Sequence, residues 1–355
     1  MNMIRLDKRT DKMKRTHTYP ALLALLLTVA FASCRQEPLP EGGDAIRFSV
    51  SAVDISASET KSVSIPPTDG SGLISDGSSA LLFGSLTGST DPVFAAGTTL
   101  NCSKPSSIAT WSYTNGTKYW VKGGTYSFKA VYPATASVDA SQTSGDKVVV
   151  NYDMADNYDL MVGAASVTAA PPTDNTVTLQ FGHACAAVRF LFTDVSGNVD
   201  TGESNIITHF ELQNLVTNGV YTSPATNPWA LGSVSTTPVY SWTGSWTVPI
   251  AADPTAVVPA DYASIGSAPA WYFVIPQSLG DTAALYFEYS VGTGTDAKKL
   301  SATINLKAES ITNWDARMVY TYKIKIQNTI GFEVGWTLWD KDLDEYDLTG
   351  QIESD

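Results

Sequence analysis

Apolar and polar residues alternate with a period of two along most of this chain, in short runs broken by clusters of Gly, Pro, Asn and Asp. The first run places Ile46, Phe48, Val50 and Ala52 on one face. Further strands are predicted at 80–86, 108–113, 119–121, 126–132, 148–152 and 160–167, and residues 169–174 (AAPPTD) read as a linker. A second series follows at 177–181, 187–192, 207–216, 246–250, 271–275, 285–291, 300–306 and 319–326. A last alternating run, Phe332, Val334, Trp336 and Leu338, stands alone between Gly331 and an acidic tail. No window shows the long 3.6-residue period of an amphipathic helix. The pattern predicts an all-β protein: two seven-stranded β-sandwiches in tandem, at 45–174 and 175–355, the second with an extra C-terminal strand and the tail.

The N-terminus is built differently. Lys12, Lys14 and Arg15 lead into an apolar segment, residues 21–32, that ends in small residues and Cys34. Its dozen apolar residues fall short of the ~20 that span a bilayer, and the build is that of a secretory signal. Phe31-Ala-Ser-Cys34 resembles the lipobox of bacterial lipoproteins, which implies a diacylated Cys34 as the first mature residue; a plain signal peptide or a buried helix is the alternative. Met13-Lys14-Arg15 would itself begin a good signal. Residues 1–33 are therefore expected to be removed and 34–44, rich in Pro, Gly and Glu, to form a tether.

Composition narrows the partners. Without residues 1–33 the chain keeps 16 basic and 33 acidic side chains, a net charge of −17. Such a surface repels phosphate backbones, so nucleic acid is not an expected partner. Only Cys102 and Cys185 remain after Cys34, far apart and in unlike contexts, and two buried free thiols are favoured over a disulfide.

Catalytic chemistry is hard to find. His183, in Phe181-Gly-His-Ala-Cys185, has a cysteine two residues away, yet alternation places 181, 183 and 185 on one buried face and no ligand cluster accompanies it. His209 precedes Phe210 on a strand and reads as ordinary. No nucleophile elbow, zinc-binding helix motif or phosphate-cradling loop occurs. The acidic run 340–347 lacks the Gly and terminal Glu of a calcium loop and reads as solvated. No catalytic residue, metal ligand or cofactor is expected. Tryptophans offer a rival reading: Trp229, Trp242 and Trp246, in a Pro/Ser/Thr-rich region, could stack on sugars in a monomeric glycan-binding surface lipoprotein, whereas Trp120 and Trp271 read as core.

Several ordered blocks behind the lipobox carry a resemblance. They are residues 45–52 (AIRFSVSA), 119–133 (YWVKGGTYSFKAVYP), 159–163 (DLMVG), 179–192 (LQFGHACAAVRFLF), 273–277 (FVIPQ) and 319–324 (VYTYKI). Together they resemble the fimbrillins, subunits of type V pili of Gram-negative anaerobes. The resemblance implies two transthyretin-like sandwiches, no catalysis, and a place in a fimbrium at the outer membrane. The partners it implies are other pilin subunits, a maturation protease, the outer membrane through the lipid, and host or microbial surface ligands. It further implies that a trypsin-like protease removes an N-terminal segment and that a neighbour's C-terminal strand fills the vacated groove. Relatives often carry Thr-Arg at the cleavage position, where this chain has Glu59-Thr-Lys61. Lys61 is the sole basic residue between Arg47 and Lys104, and cutting there would release the whole first strand. Cutting after Arg47 would leave Phe48, Val50 and Ala52 in place, so Lys61 ranks above Arg47. The donor strand is expected at 331–339, with Phe332, Val334, Trp336 and Leu338 inward; the competing reading is that it completes the second domain's own sheet.

Overall fold

A computed structural model describes residues 44–52, 73–168, 176–196, 205–291, 297–308, 311–326 and 330–338, the last by backbone alone. Ala45–Asp355 forms one unit, separate from Met1–Asp44. The described helices are two single 3-10 turns, Met154–Asp156 and Pro259–Asp261. The rest is strand and loop, as alternation, β-branched and aromatic residues favour.

The strands in chain order begin with β1 (Arg47–Ala52), β2 (Ser79–Leu86), β3 (Thr99–Ser103), β4 (Thr110–Tyr113), β5 (Tyr126–Tyr132), β6 (Ser137–Val138) and β7 (Val148–Asp153). Next come β8 (Met161–Val167), β9 (Thr176–His183), β10 (Ala186–Asp194), β11 (Asn205–Gln213), β12 (Asn218–Ser223), β13 (Trp229–Leu231) and β14 (Val239–Thr247). The series ends with β15 (Tyr272–Val274), β16 (Gln277–Ser278), β17 (Ala284–Val291), β18 (Lys298–Asn305), β19 (Asn313–Trp314), β20 (Met318–Ile326) and β21 (Ile330–Leu338).

Seven strands form the first sheet, in the order β1-β9-β8-β5-β2-β3-β4. The sheet curls so that its two ends approach, with β1 against β4 and an isolated bridge between Ala45 and Tyr119. One core lies inside the curl, built from Phe48, Leu82, Phe94, Leu100, Trp120, Tyr126, Phe128, Leu179 and Phe181. The larger core lies between the sheets β15-β10-β20-β21 and β14-β11-β17-β18. There Phe190 meets Phe210 at 5.5 Å between ring centroids, and Phe192 meets Phe287 at 5.5 Å, both edge to face. Two facing antiparallel-rich sheets with apolar inner faces are what the alternation demanded.

The break expected at residue 174 falls inside the first sheet. β8 and β9 lie on either side of it and pair antiparallel, from Met161 opposite His183 to Ala164 opposite Gln180. The chain leaves that sheet at Ala184 and Cys185, both buried. β7 also crosses the expected division, pairing with β12 along six residues in the sheet β13-β12-β7-β6. Side chains tighten this join: the Tyr152 and Tyr240 hydroxyls both donate to the Phe273 carbonyl, at 3.0 and 2.8 Å, and Asn157 accepts from Phe273 N while donating to Trp271 O.

Candidate functional site

β1 is the place where the fold is least conventional. It is the end strand of its sheet, and it lies parallel to β9 in register from Arg47 opposite Thr176 to Ala52 opposite Phe181. Its alternation turns Ile46 and Phe48 into the core, with 1 % and 6 % of their surface exposed, while Arg47 points to solvent. End strands usually carry blunting charges or bulges; this one carries Phe48 into the core, with Ile46 buried just ahead of it.

Phe48 sits in an aromatic cage. Its ring meets Phe128 at 5.2 Å, Phe94 at 5.6 Å and Tyr113 at 6.0 Å, all edge to face. Phe94 reaches that position because residue 84 is glycine: a Cβ there would stand 2.7 Å from the Phe94 ring. The start of β1 is tied on its other side as well. Ile46 N donates to Lys118 O at 2.8 Å, the Tyr113 hydroxyl donates to Ile46 O at 3.0 Å, and Lys118 N donates to that hydroxyl at 3.0 Å. Burial pushes the Tyr113 phenol above its ordinary pKa, which keeps it a donor. Across the outer face, the Ser49 and Thr178 hydroxyls lie 2.9 Å apart. Without β1, the inner side chains of β9 and the Phe94, Tyr113 and Phe128 rings would line an open groove.

At the opposite end of the chain β21 is also an end strand. It pairs antiparallel with β20 along nine residues, from Met318 opposite Leu338 to Ile326 opposite Ile330. Positions 332, 334, 336 and 338 stand opposite Ile324, Tyr322, Tyr320 and Met318, whose side chains are buried. Cys34, Lys61 and the acidic run 340–347 lie outside the described residues. Arg47 opens β1 and is exposed. Sequence reasoning missed Phe94, Tyr113 and Phe128 as groove residues; their aromatic character was visible, but not that three separated segments meet around Phe48.

The remaining candidates have structural surroundings. His183 is buried, with Nδ1 2.9 Å from Asp159 Oδ1. Phe181 and Cys185 are buried too. Cys185 and Cys102 are free thiols, and burial raises the pKa of each. His209 lies between Thr243 Oγ1 at 3.0 Å and Glu211 Oε2 at 3.1 Å. Among the described residues, no group of three or more His, Cys, Asp or Glu side chains could hold a metal ion. Trp229, Trp242 and Trp246 are half-buried against the larger core, and Trp229 Nε1 donates to Ala184 O, Trp242 Nε1 to Ser267 Oγ.

Residues 78–339 match the fimbrillin-like family. The chain belongs to that family. Fimbrillin-like proteins are surface fimbrial and adhesion proteins, a structural class and not an enzymatic one. Among solved structures, a candidate cell adhesion protein of Bacteroides uniformis superposes with a TM-score of 0.51 at 16% identity, covering 84% of this chain and 99% of its own. A fimbrial protein of Bacteroides vulgatus gives 0.51 at 14% identity, covering 83% and 99%. At such identities the likeness speaks for the shared fold. No curated protein matches this fimbrillin-like chain.

Proposed function

We propose that this fimbrillin-like chain is exported as a lipoprotein and, once proteolysis has removed its N-terminal segment, polymerises by strand exchange as a subunit of a surface fimbria. In this reading Cys34 carries the lipid, proteolysis after Lys61 frees β1, and β21 of a neighbouring subunit fills the groove. One observation carries it: β1 is an end strand whose Phe48, with Ile46 just ahead of the strand, belongs to the core. Removing such a strand leaves an apolar trough and a row of unpaired main-chain groups on β9, which together accept an alternating strand. A donor burying four apolar side chains would contribute roughly 6–12 kcal/mol before ordering costs. Register would be fixed by the alternation, since a slip of one residue turns the apolar set to solvent.

β21 supports the donor role through its pattern and its position at a sheet end, paired to β20 alone. The same pairing also suits a strand intrinsic to its own subunit. Deleting residues 331–355 separates the two. A truncated protein that folds as a monomer but no longer joins filaments supports the donor role; one that fails to fold makes β21 part of the intrinsic core. The glycan-binding reading draws no support from Trp229, Trp242 and Trp246, whose rings pack against the core. Tight binding of a defined polysaccharide by a strictly monomeric protein, lost on Trp→Ala substitution, would overturn the fimbrial reading.

A further inference from the structure

The loop between β4 and β5, residues 114–125, holds two of the exposed large apolar side chains among the described residues: Tyr119, 46% exposed, and Val121, 56% exposed. They do not project by accident. Trp120, between them, is buried, its ring edge-on to Tyr126 at 4.8 Å and to Phe128 at 6.3 Å. Val121 N donates to the Tyr126 hydroxyl at 2.6 Å, and Gly124 N donates to Val121 O at 3.0 Å. With Trp120 wedged into the core, extended backbone turns its two neighbours outward. An apolar pair held rigidly in water suits a surface that is covered in use.

Charge sets this loop apart from the rest of the protein. Lys118 and Lys122 flank the pair, and residues 92–138 contain four lysines and no acid. Outside that stretch the mature chain carries 33 acids and 12 bases. The loop is also where the tether ends: Ala45 bridges to Tyr119, and Ile46 N bonds to Lys118 O. The ten steps from Cys34 to Asp44 reach at most roughly 36 Å when fully extended. Glu37, Glu41 and Asp44 keep the tether itself off anionic headgroups, leaving the lysine-flanked loop to make the contact.

We infer that this loop rests on the membrane surface in the anchored protein, with Tyr119 and Val121 in the interface and Lys118 and Lys122 on anionic lipid headgroups. The inference rests on the lipid-anchor reading above and adds an orientation: the end of the first sheet that receives the tether faces the bilayer. The test uses the lipidated chain, uncut at Lys61, reconstituted into phosphatidylcholine vesicles, with or without phosphatidylglycerol, and a membrane-impermeant amine reagent. Labelling of Lys118 and Lys122 should slow about fivefold when phosphatidylglycerol is present, while Lys298 and Lys299 on β18 label alike in both. The double variant Tyr119→Ser/Val121→Ser should lose the protection. Equal labelling of Lys118 and Lys122 in the two vesicles, or full protection of the double variant, overturns the inference while leaving the anchor intact. A chain that does not float with either vesicle refutes the anchor, and the inference falls with it.

Discussion

The hydroxyl of Tyr113 donates to the main-chain carbonyl of Ile46 across 3.0 Å, joining the strand at one end of the first sheet to the start of the strand at the other. The same ring stands edge-on to Phe48. One residue therefore holds β1 both by its backbone and by its core side chain. Tyr113→Phe keeps the ring and loses the hydroxyl, so it should cost ~0.5–1.5 kcal/mol. Phe48→Ala empties the aromatic cage and should cost ~3–5 kcal/mol. Urea denaturation of the unprocessed chain measures both. Equal small losses for the two variants would mean that the Phe48 cage contributes little to the hold on β1.

Gly145 supplies a second point of attachment. Its N donates to Ser85 Oγ at 3.0 Å, and a Cβ there would stand 2.2 Å from Ser127 O and 2.3 Å from Ser85 N. The β6–β7 loop thus lies flat on the backbone of β2 and β5. Gly145→Ala should lift it and destabilise the fold by ~1–3 kcal/mol. Denaturation midpoints compared with those of Ser144→Ala, an exposed neighbour, give the check.

Alternation made most of the strands legible in sequence, including β1, β2, β5, β8, β9, β17, β18, β20 and β21. It failed where strands are short and wet. β12 begins Asn-Gly and leaves no residue buried, β13 has three residues, and β3 offers only Leu100 and Cys102 as apolar positions. Residues 119–121 alternate as a strand would, yet Trp120 serves as a loop wedge and only Tyr119 finds a bridge partner. Both ends of the candidate site, β1 and β21, could be read from their own residues. The groove could not, because Phe94, Tyr113 and Phe128 converge through pairings that no local pattern encodes.

Alkaline pH should unfold the protein. Burial raises Tyr158 and Tyr320 to about 12, and raises Tyr152, Tyr240, Tyr272 and Tyr322 as well. Below about pH 10 these phenols stay protonated in both states and their contribution is complete. As the pH rises from about 10 towards 12 the unfolded chain releases protons that the folded chain keeps. The unfolded state then binds fewer protons, so stability falls. Denaturation midpoints should be flat from neutral pH to about 10 and drop beyond it, with the tyrosinate absorbance of these six phenols appearing together with unfolding. Complete titration of the tyrosines near pH 10 while the protein stays folded would contradict the burial.

The final prediction concerns how β1 is released. Arg47 is its first residue and lies inside the ladder with β9, opposite Thr176. A cut after Arg47 would separate Ile46 and its bonds to Lys118 and Tyr113, while Phe48 and the rest of the ladder stayed in place. A cut after Lys61 lies beyond Ala52 and would free all six residues of the strand. Brief trypsin treatment of the folded chain should therefore give a new N-terminus at Ser62 first. It should also expose the groove, read as increased binding of an apolar dye to the cut protein, reversed by adding a peptide of residues 45–53. Replacing Lys61 with Ala should abolish both effects and leave Arg47 as a slow secondary site. If Lys61 resists while Arg47 is cut first, or if cutting at Lys61 leaves the dye signal unchanged, β1 is not the strand that gives way.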